Sequence, residues 1–124
     1  MKPNRPINLD LGTIGLPITA YVSILHRISG VALLVGAGIL LYLLDLSLSG
    51  EQGFARVTEL LASLPVKLVV WAVLAALAYH CVAGIRHIIN DLGYGESLRG
   101  ATMAARATLV LAAILIVLAG VWVW

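Results

Sequence analysis

The sequence predicts an all-α protein with three transmembrane helices. Composition is the first reason: 61% of the 124 residues are hydrophobic and 11% are charged, whereas a soluble domain carries roughly 25% charge. Size is the second, because small domains bury the smallest share of their apolar surface, and a soluble fold of this length could not hide so much. The third is the placement of charge. Uncharged runs extend from Ile28 to Leu44, from Leu68 to Ile85 and from Ala107 to Trp124, each close to the ~20 residues that cross a hydrocarbon core. A soluble enzyme, a disordered chain and a disulfide scaffold are all excluded. With Cys81 as the single cysteine, no internal disulfide and no cysteine-built metal site can form. A net charge of +2 gives no footing for nucleic acid.

One domain spans 1–124. An N-terminal arm over 1–21 leads into helices at about 22–48, 64–92 and 102–124. Ser49-Gly50-Glu51-Gln52-Gly53 is a polar turn, and Phe54–Leu61 suits a short interfacial helix. Pro65 fits the first turn of the second long helix, where its missing N–H costs nothing. Asp91-Leu92-Gly93-Tyr94-Gly95-Glu96 forms the next loop. Lys2, Arg5, Arg27, Arg86, Arg99 and Arg106 lie on one side of the spans, Arg56 and Lys67 on the other. The positive-inside rule therefore places the N-terminus and second loop in the cytoplasm and the C-terminus outside. Trp122 and Trp124 then meet the outer interface. Asp10 and three prolines interrupt the first 20 residues, so no cleavable signal is expected.

Polar residues within a span are costly and mark function. The first cluster is Ser23-Ile24-Leu25-His26-Arg27-Ile28-Ser29-Gly30. Ser23 neighbours both His26 and Arg27 at helical spacing. A hydroxyl, an imidazole and a guanidinium converge there, as an acceptor-rich ligand such as a quinone carbonyl or a propionate requires. The alternative is that Arg27 snorkels to headgroups.

The second cluster is His80-Cys81-Val82-Ala83-Gly84-Ile85-Arg86-His87. His80 and His87 share a face about 10 Å apart, with Gly84 between them, where a flat group can approach. His80 is the deepest ionisable group, about 15 Å inside its helix. An imidazole at that depth needs a hydrogen bond or a metal, and haem iron is one candidate. Cys81, Tyr79 and Trp71 read as packing residues. On these boundaries His26 and His87 lie about 10 Å too shallow to share an iron with His80. If His80 ligates a bis-ligated haem, the second ligand then comes from a partner subunit or a second copy, and the chain is part of a heteromeric or homodimeric helix bundle.

Three stretches resemble the large cytochrome b membrane anchor of succinate dehydrogenase, of the proteobacterial type: Arg5-Pro6-Ile7-Asn8-Leu9-Asp10-Leu11; Pro17-Ile18-Thr19-Ala20 with the S-x-x-H-R-x-S-G pattern from Ser23; and Ala78-Tyr79-His80 with H-x-x-x-G-x-R-H. The resemblance implies a heteromeric membrane helix bundle in the bacterial cytoplasmic (inner) membrane. A second small membrane-anchor subunit would complete it, and the chain would anchor an iron–sulfur subunit and a flavoprotein. Electrons from succinate would reach ubiquinone at a site containing Ser23 and Arg27. His80 would be one axial ligand of haem b, the other coming from the second anchor. His26 and Arg27 would lie near the haem propionates, and so would His87.

The chain has no flavin or nucleotide fingerprint and no cysteine cluster, so it is not catalytic alone. Two alternatives stand beside this reading: a quinol-oxidising anchor of the fumarate reductase type, and a cofactor-free structural membrane subunit in which His80 is a packing residue hydrogen-bonded to a carbonyl on another helix.

Overall fold

A computed structural model describes Ile7, Leu9, Asp10 and residues 12–124. Among the described residues the only regular elements are four α-helices: α1 (Ile18–Leu48), α2 (Glu51–Ala62), α3 (Leu64–Asp91) and α4 (Leu98–Val123). Three of them, α1, α3 and α4, are long and apolar enough to cross a membrane. Their 31, 28 and 26 residues give lengths of about 39–46 Å, more than a hydrocarbon core needs.

Local chemistry sets each end. Pro17 has extended geometry (φ −68°, ψ 158°), and its carbonyl accepts from the amides of Ala20 (3.0 Å) and Tyr21 (3.3 Å). This starts α1 one turn earlier than the apolar run alone indicates, so residues 18–21 belong to the helix and not to the arm. Lys2 and Arg5 of the charge count fall outside the described residues.

The turn after α1 is shorter than expected. Ser49 Oγ donates back to the Leu46 carbonyl (2.7 Å), and Gly50 turns the chain at φ +133°, a left-handed value that suits glycine. Glu51 already begins α2, where a carboxylate complements the helix dipole. The short helix predicted over 54–61 forms as α2, with an exposed Arg56–Glu59 ion pair at 2.8 Å. Ser63 breaks the helix in extended geometry, and Pro65 sits in the first turn of α3 as anticipated. After α3, Gly93 and Gly95 turn at φ +87° and +74°. Ser97 Oγ then accepts from the Gly100 amide (3.0 Å), a side-chain cap that starts α4 one turn ahead of 102.

Helix α3 packs against both α1 and α4. Small side chains let the backbones approach: Ala83, Ala105 and Ala112 are buried with Val22 and Tyr79, the pattern of helix packing inside a membrane. A Cβ at Gly36 would stand 2.8 Å from the Val73 methyls, whereas Gly38 faces open space. Trp71 and Tyr79 pack as read from sequence, and each also makes a cross-helix hydrogen bond. Trp71 Nε1 donates to the Ile116 carbonyl on α4 (2.9 Å), and Tyr79 Oη donates to the Val22 carbonyl on α1 (2.6 Å). Cys81 is instead exposed on the surface of the chain.

Candidate functional site

The site lies on the α1–α3 seam. Ser29 Oγ donates to the His26 carbonyl one turn back (2.7 Å), which commits its only hydrogen. The same oxygen lies 3.0 Å from His80 Nδ1, and the His26 carbonyl lies 3.2 Å from that nitrogen. Toward His80, both oxygens can only accept. With the Ser29 hydrogen on that carbonyl, the arrangement favours a proton on Nδ1 and leaves the ring lone pair at Nε2. A metal-bound histidine has this arrangement, its second nitrogen donating to a backbone carbonyl or another fixed acceptor. Sequence reasoning quoted Ser29 only as part of a motif. The signal was a serine three residues after a histidine, on the helix face turned toward His80.

His26 packs beside Gly84, where an added Cβ would make only ordinary contact. Its imidazole stacks on His80 with centroids 4.1 Å apart and planes 10° from parallel. It also meets His87 at 4.9 Å and 50°. A Cβ at Gly84 would stand 3.5 Å from His26 Nε2, and one at Gly30 would stand 3.2 Å from His80 Cε1. The flat group expected over Gly84 is thus supplied, within this chain, by His26. The three rings form a row, His80–His26–His87.

This corrects the expected 10 Å depth difference between His26 and His80. That figure counted from a helix start at 22 and treated the long helices as ending at the membrane surface. With α1 beginning at Ile18, His26 lies two turns inside its helix, and the antiparallel α3 brings His80 level with it.

Ser23 is half-buried and Arg27 is exposed, one turn apart on α1. His26 packs into α3 against His80 and His87. Its Nε2 is buried without a hydrogen-bond partner. Arg86, counted in sequence among the interfacial charges, is buried instead, 7% exposed. No cluster of three or more His, Cys, Asp or Glu suited to a bare metal ion occurs among the described residues.

The sequence matches the family described as succinate dehydrogenase/fumarate reductase transmembrane subunit over residues 1–119. It is 41% identical to the succinate dehydrogenase cytochrome b556 subunit of Coxiella burnetii, with all of both chains covered. It is 31% identical to the subunit of the same name from Paracoccus denitrificans, covering 94% of this chain and 90% of that one. It is 39% identical to the succinate dehydrogenase cytochrome b560 subunit of Marchantia polymorpha, covering 76% of this chain and 72% of that one.

Proposed function

The chain belongs to the succinate dehydrogenase/fumarate reductase transmembrane subunit family, and from that premise we propose that it is the haem b-binding membrane anchor of a succinate:ubiquinone oxidoreductase. In this reading it holds the iron–sulfur subunit and flavoprotein at the cytoplasmic face of a bacterial inner membrane. Its N-terminus is cytoplasmic, its C-terminus periplasmic, and a second small anchor subunit completes the bundle.

The observation that supports the reading is the pair of acceptors beside His80 Nδ1. Ser29 Oγ and the His26 carbonyl are placed to hold an Nδ1–H, which would leave Nε2 to bind iron. Haem b, when bound, supplies one-electron exchange. The residues of this chain orient and enclose it. Gly30 leaves room for the His80 ring, and the orphaned His26 Nε2 provides an N–H or a lone pair for a polar group such as a propionate. His87, next in the row, is the third imidazole available there.

His26 does not serve as the second axial ligand. A ring nitrogen binds iron in the plane of its ring, and two nearly parallel rings 4.1 Å apart aim their lone pairs side by side rather than at one another. A second protein ligand to the iron, where one is used, would come from the partner anchor. The need for a partner in that case, first argued from depth, rests here on ring orientation.

Ser23 and Arg27 serve the quinone. A serine hydroxyl donates to a carbonyl oxygen. A fixed guanidinium stabilises negative charge developing on that oxygen as electrons arrive, most strongly where water is excluded. The relatives quoted above are all named for succinate dehydrogenase, which favours succinate oxidation over quinol oxidation.

The test is a dithionite-reduced minus oxidised spectrum of the purified complex, wild type and His80→Leu. A sharp b-type α-band in the wild type, lost or altered in the variant, is expected. No b-type band in the wild type would leave a cofactor-free anchor as the better reading.

A further inference from the structure

One charge inside the bundle has no part in the reading above. Arg86 continues the buried seam of α3, after Tyr79 and Ala83. It is 7% exposed and is the only buried Lys or Arg among the described residues. Its Nε and Nη1 are enclosed and meet no hydrogen-bond acceptor. No buried carboxylate offsets it, since all six Asp and Glu residues are exposed.

A guanidinium keeps its proton at any working pH, and a buried charge is screened far less by salt than an exposed one. Arg27, Arg99 and Arg106 lie toward the same end of the spans and are exposed. Arg86 is therefore the cation whose field persists in the low-dielectric interior. Because Nε and Nη1 are closed off, an anion from outside the chain cannot reach them without repacking the helices. The charge stays uncompensated and acts at a distance.

The nearest redox-relevant group on its helix is His80. Arg86 follows it by six residues, about 9 Å along α3, and the width of the helix brings the two side chains to a separation on the order of 12 Å. Resting on the haem reading, we infer that Arg86 makes the haem held by His80 easier to reduce, its fixed positive charge favouring the ferrous form. One electron, supplied by the iron–sulfur subunit, converts ferric to ferrous iron. No bond is made or broken, and the net charge at the site falls by one. A nearby cation favours the more negative state. At that separation and an effective dielectric constant of about 20, one unit charge shifts such an equilibrium roughly tenfold. Arg86 does this through its field and is not a catalytic residue.

The test is an optical redox titration of the haem in the purified complex, for wild type, Arg86→Gln, Arg86→Lys and Arg99→Gln. At the poise that half-reduces wild type, Arg86→Gln is expected to show a roughly tenfold lower ratio of reduced to oxidised haem, with the α-band in place because His80 still ligates. Arg86→Lys keeps the charge and should stay within about twofold of wild type. Arg99→Gln removes an exposed cation that water and salt already screen, and should also stay within about twofold. Where Arg86→Gln does not assemble, Thr108→Glu carries the test. Thr108 is buried and lines the same groove as Arg86, so a carboxylate there offsets the charge with the arginine present and lowers the ratio likewise. An unmoved ratio in the variant that assembles overturns the inference. So does an equal fall in Arg86→Lys, which would make the effect one of packing, or in Arg99→Gln, which would make it one of net charge. A moved α-band in Arg86→Gln would trace the change to ligation and overturn it too. If wild type shows no b-type band, the haem reading fails and this inference falls with it. A normal band with an unmoved ratio defeats this inference alone.

Discussion

Replacing Ser29 by alanine isolates what a single hydroxyl does for His80. Ser29 is buried, 7% exposed, so no bulk water takes its place. In the wild type, Nδ1–H has two acceptors, Ser29 Oγ at 3.0 Å and the His26 carbonyl at 3.2 Å. Alanine removes the nearer and leaves the longer. The net value of such a bond is about 1 kcal/mol, roughly a fivefold change in an equilibrium constant. Loss of a partner that orients a metal ligand typically costs 10–100-fold in metal affinity. Because the carbonyl acceptor survives, the lower end applies, and haem affinity should fall about five- to tenfold. The assay is haem per complex by pyridine haemochrome during titration with a competing haem acceptor, with the reduced spectrum recorded alongside. Ser29→Thr keeps the hydroxyl and should restore most of the affinity. If Ser29→Ala holds haem as tightly as wild type with an unmoved α-band, Ser29 does not set the His80 tautomer and the argument for Nε2 fails.

Ser23→Ala and Arg27→Leu should slow succinate–ubiquinone reductase activity, by about fivefold and by roughly 10- to 100-fold respectively, from the values of a neutral and a charge-assisted hydrogen bond. Succinate oxidation by an artificial dye that accepts from the soluble subunits should not change, and a parallel loss of both rates would reassign these residues to assembly. Gly36→Ala drives a methyl to within 2.8 Å of Val73 and should destabilise the complex by about 1–3 kcal/mol. Val73→Ala should rescue it in a double-mutant cycle read by thermal melting. Tyr79→Phe removes the 2.6 Å bond to the Val22 carbonyl and should cost about 1 kcal/mol in the same melt, with the quinone reductase rate intact in the folded fraction.

Much of the fold was legible because charge is expensive in a bilayer. The gaps between Arg27 and Asp45, between Lys67 and Arg86, and after Arg106 mark three spans without reference to any partner. The gap between the first two spans also exposed α2. The helix starts were less legible because hydropathy does not report caps. Pro17 and Ser97 are the residues that set them, each one turn ahead of the apolar run. That error propagated into the site, since depth counted from a misplaced end separated two imidazoles that are in contact. A glycine at 84 does not say what lies beside it, and here it is His26, at a distance that would also admit a Cβ. Arg86 was read as interfacial from its place in the chain. Its burial depends on which face α4 covers, and that contact lies about 20 residues away in sequence, beyond the reach of local spacing.

The adjacent residues Tyr79 and His80 reach two carbonyls on α1, those of Val22 and His26, four residues apart. The pair works as a two-pronged key whose teeth are spaced by one helical turn. Sliding α3 along α1 by a fraction of a turn releases both prongs, and only a full-turn slip could re-engage them. The consequence concerns insertions and deletions. One residue added between Val22 and Ser29 would rotate everything beyond it by about 100°, taking Ser29 or the His26 carbonyl out of reach. The same insertion past Gly36, toward the far end of α1, leaves the key in phase. Length variation in this helix should therefore be confined to its distal half.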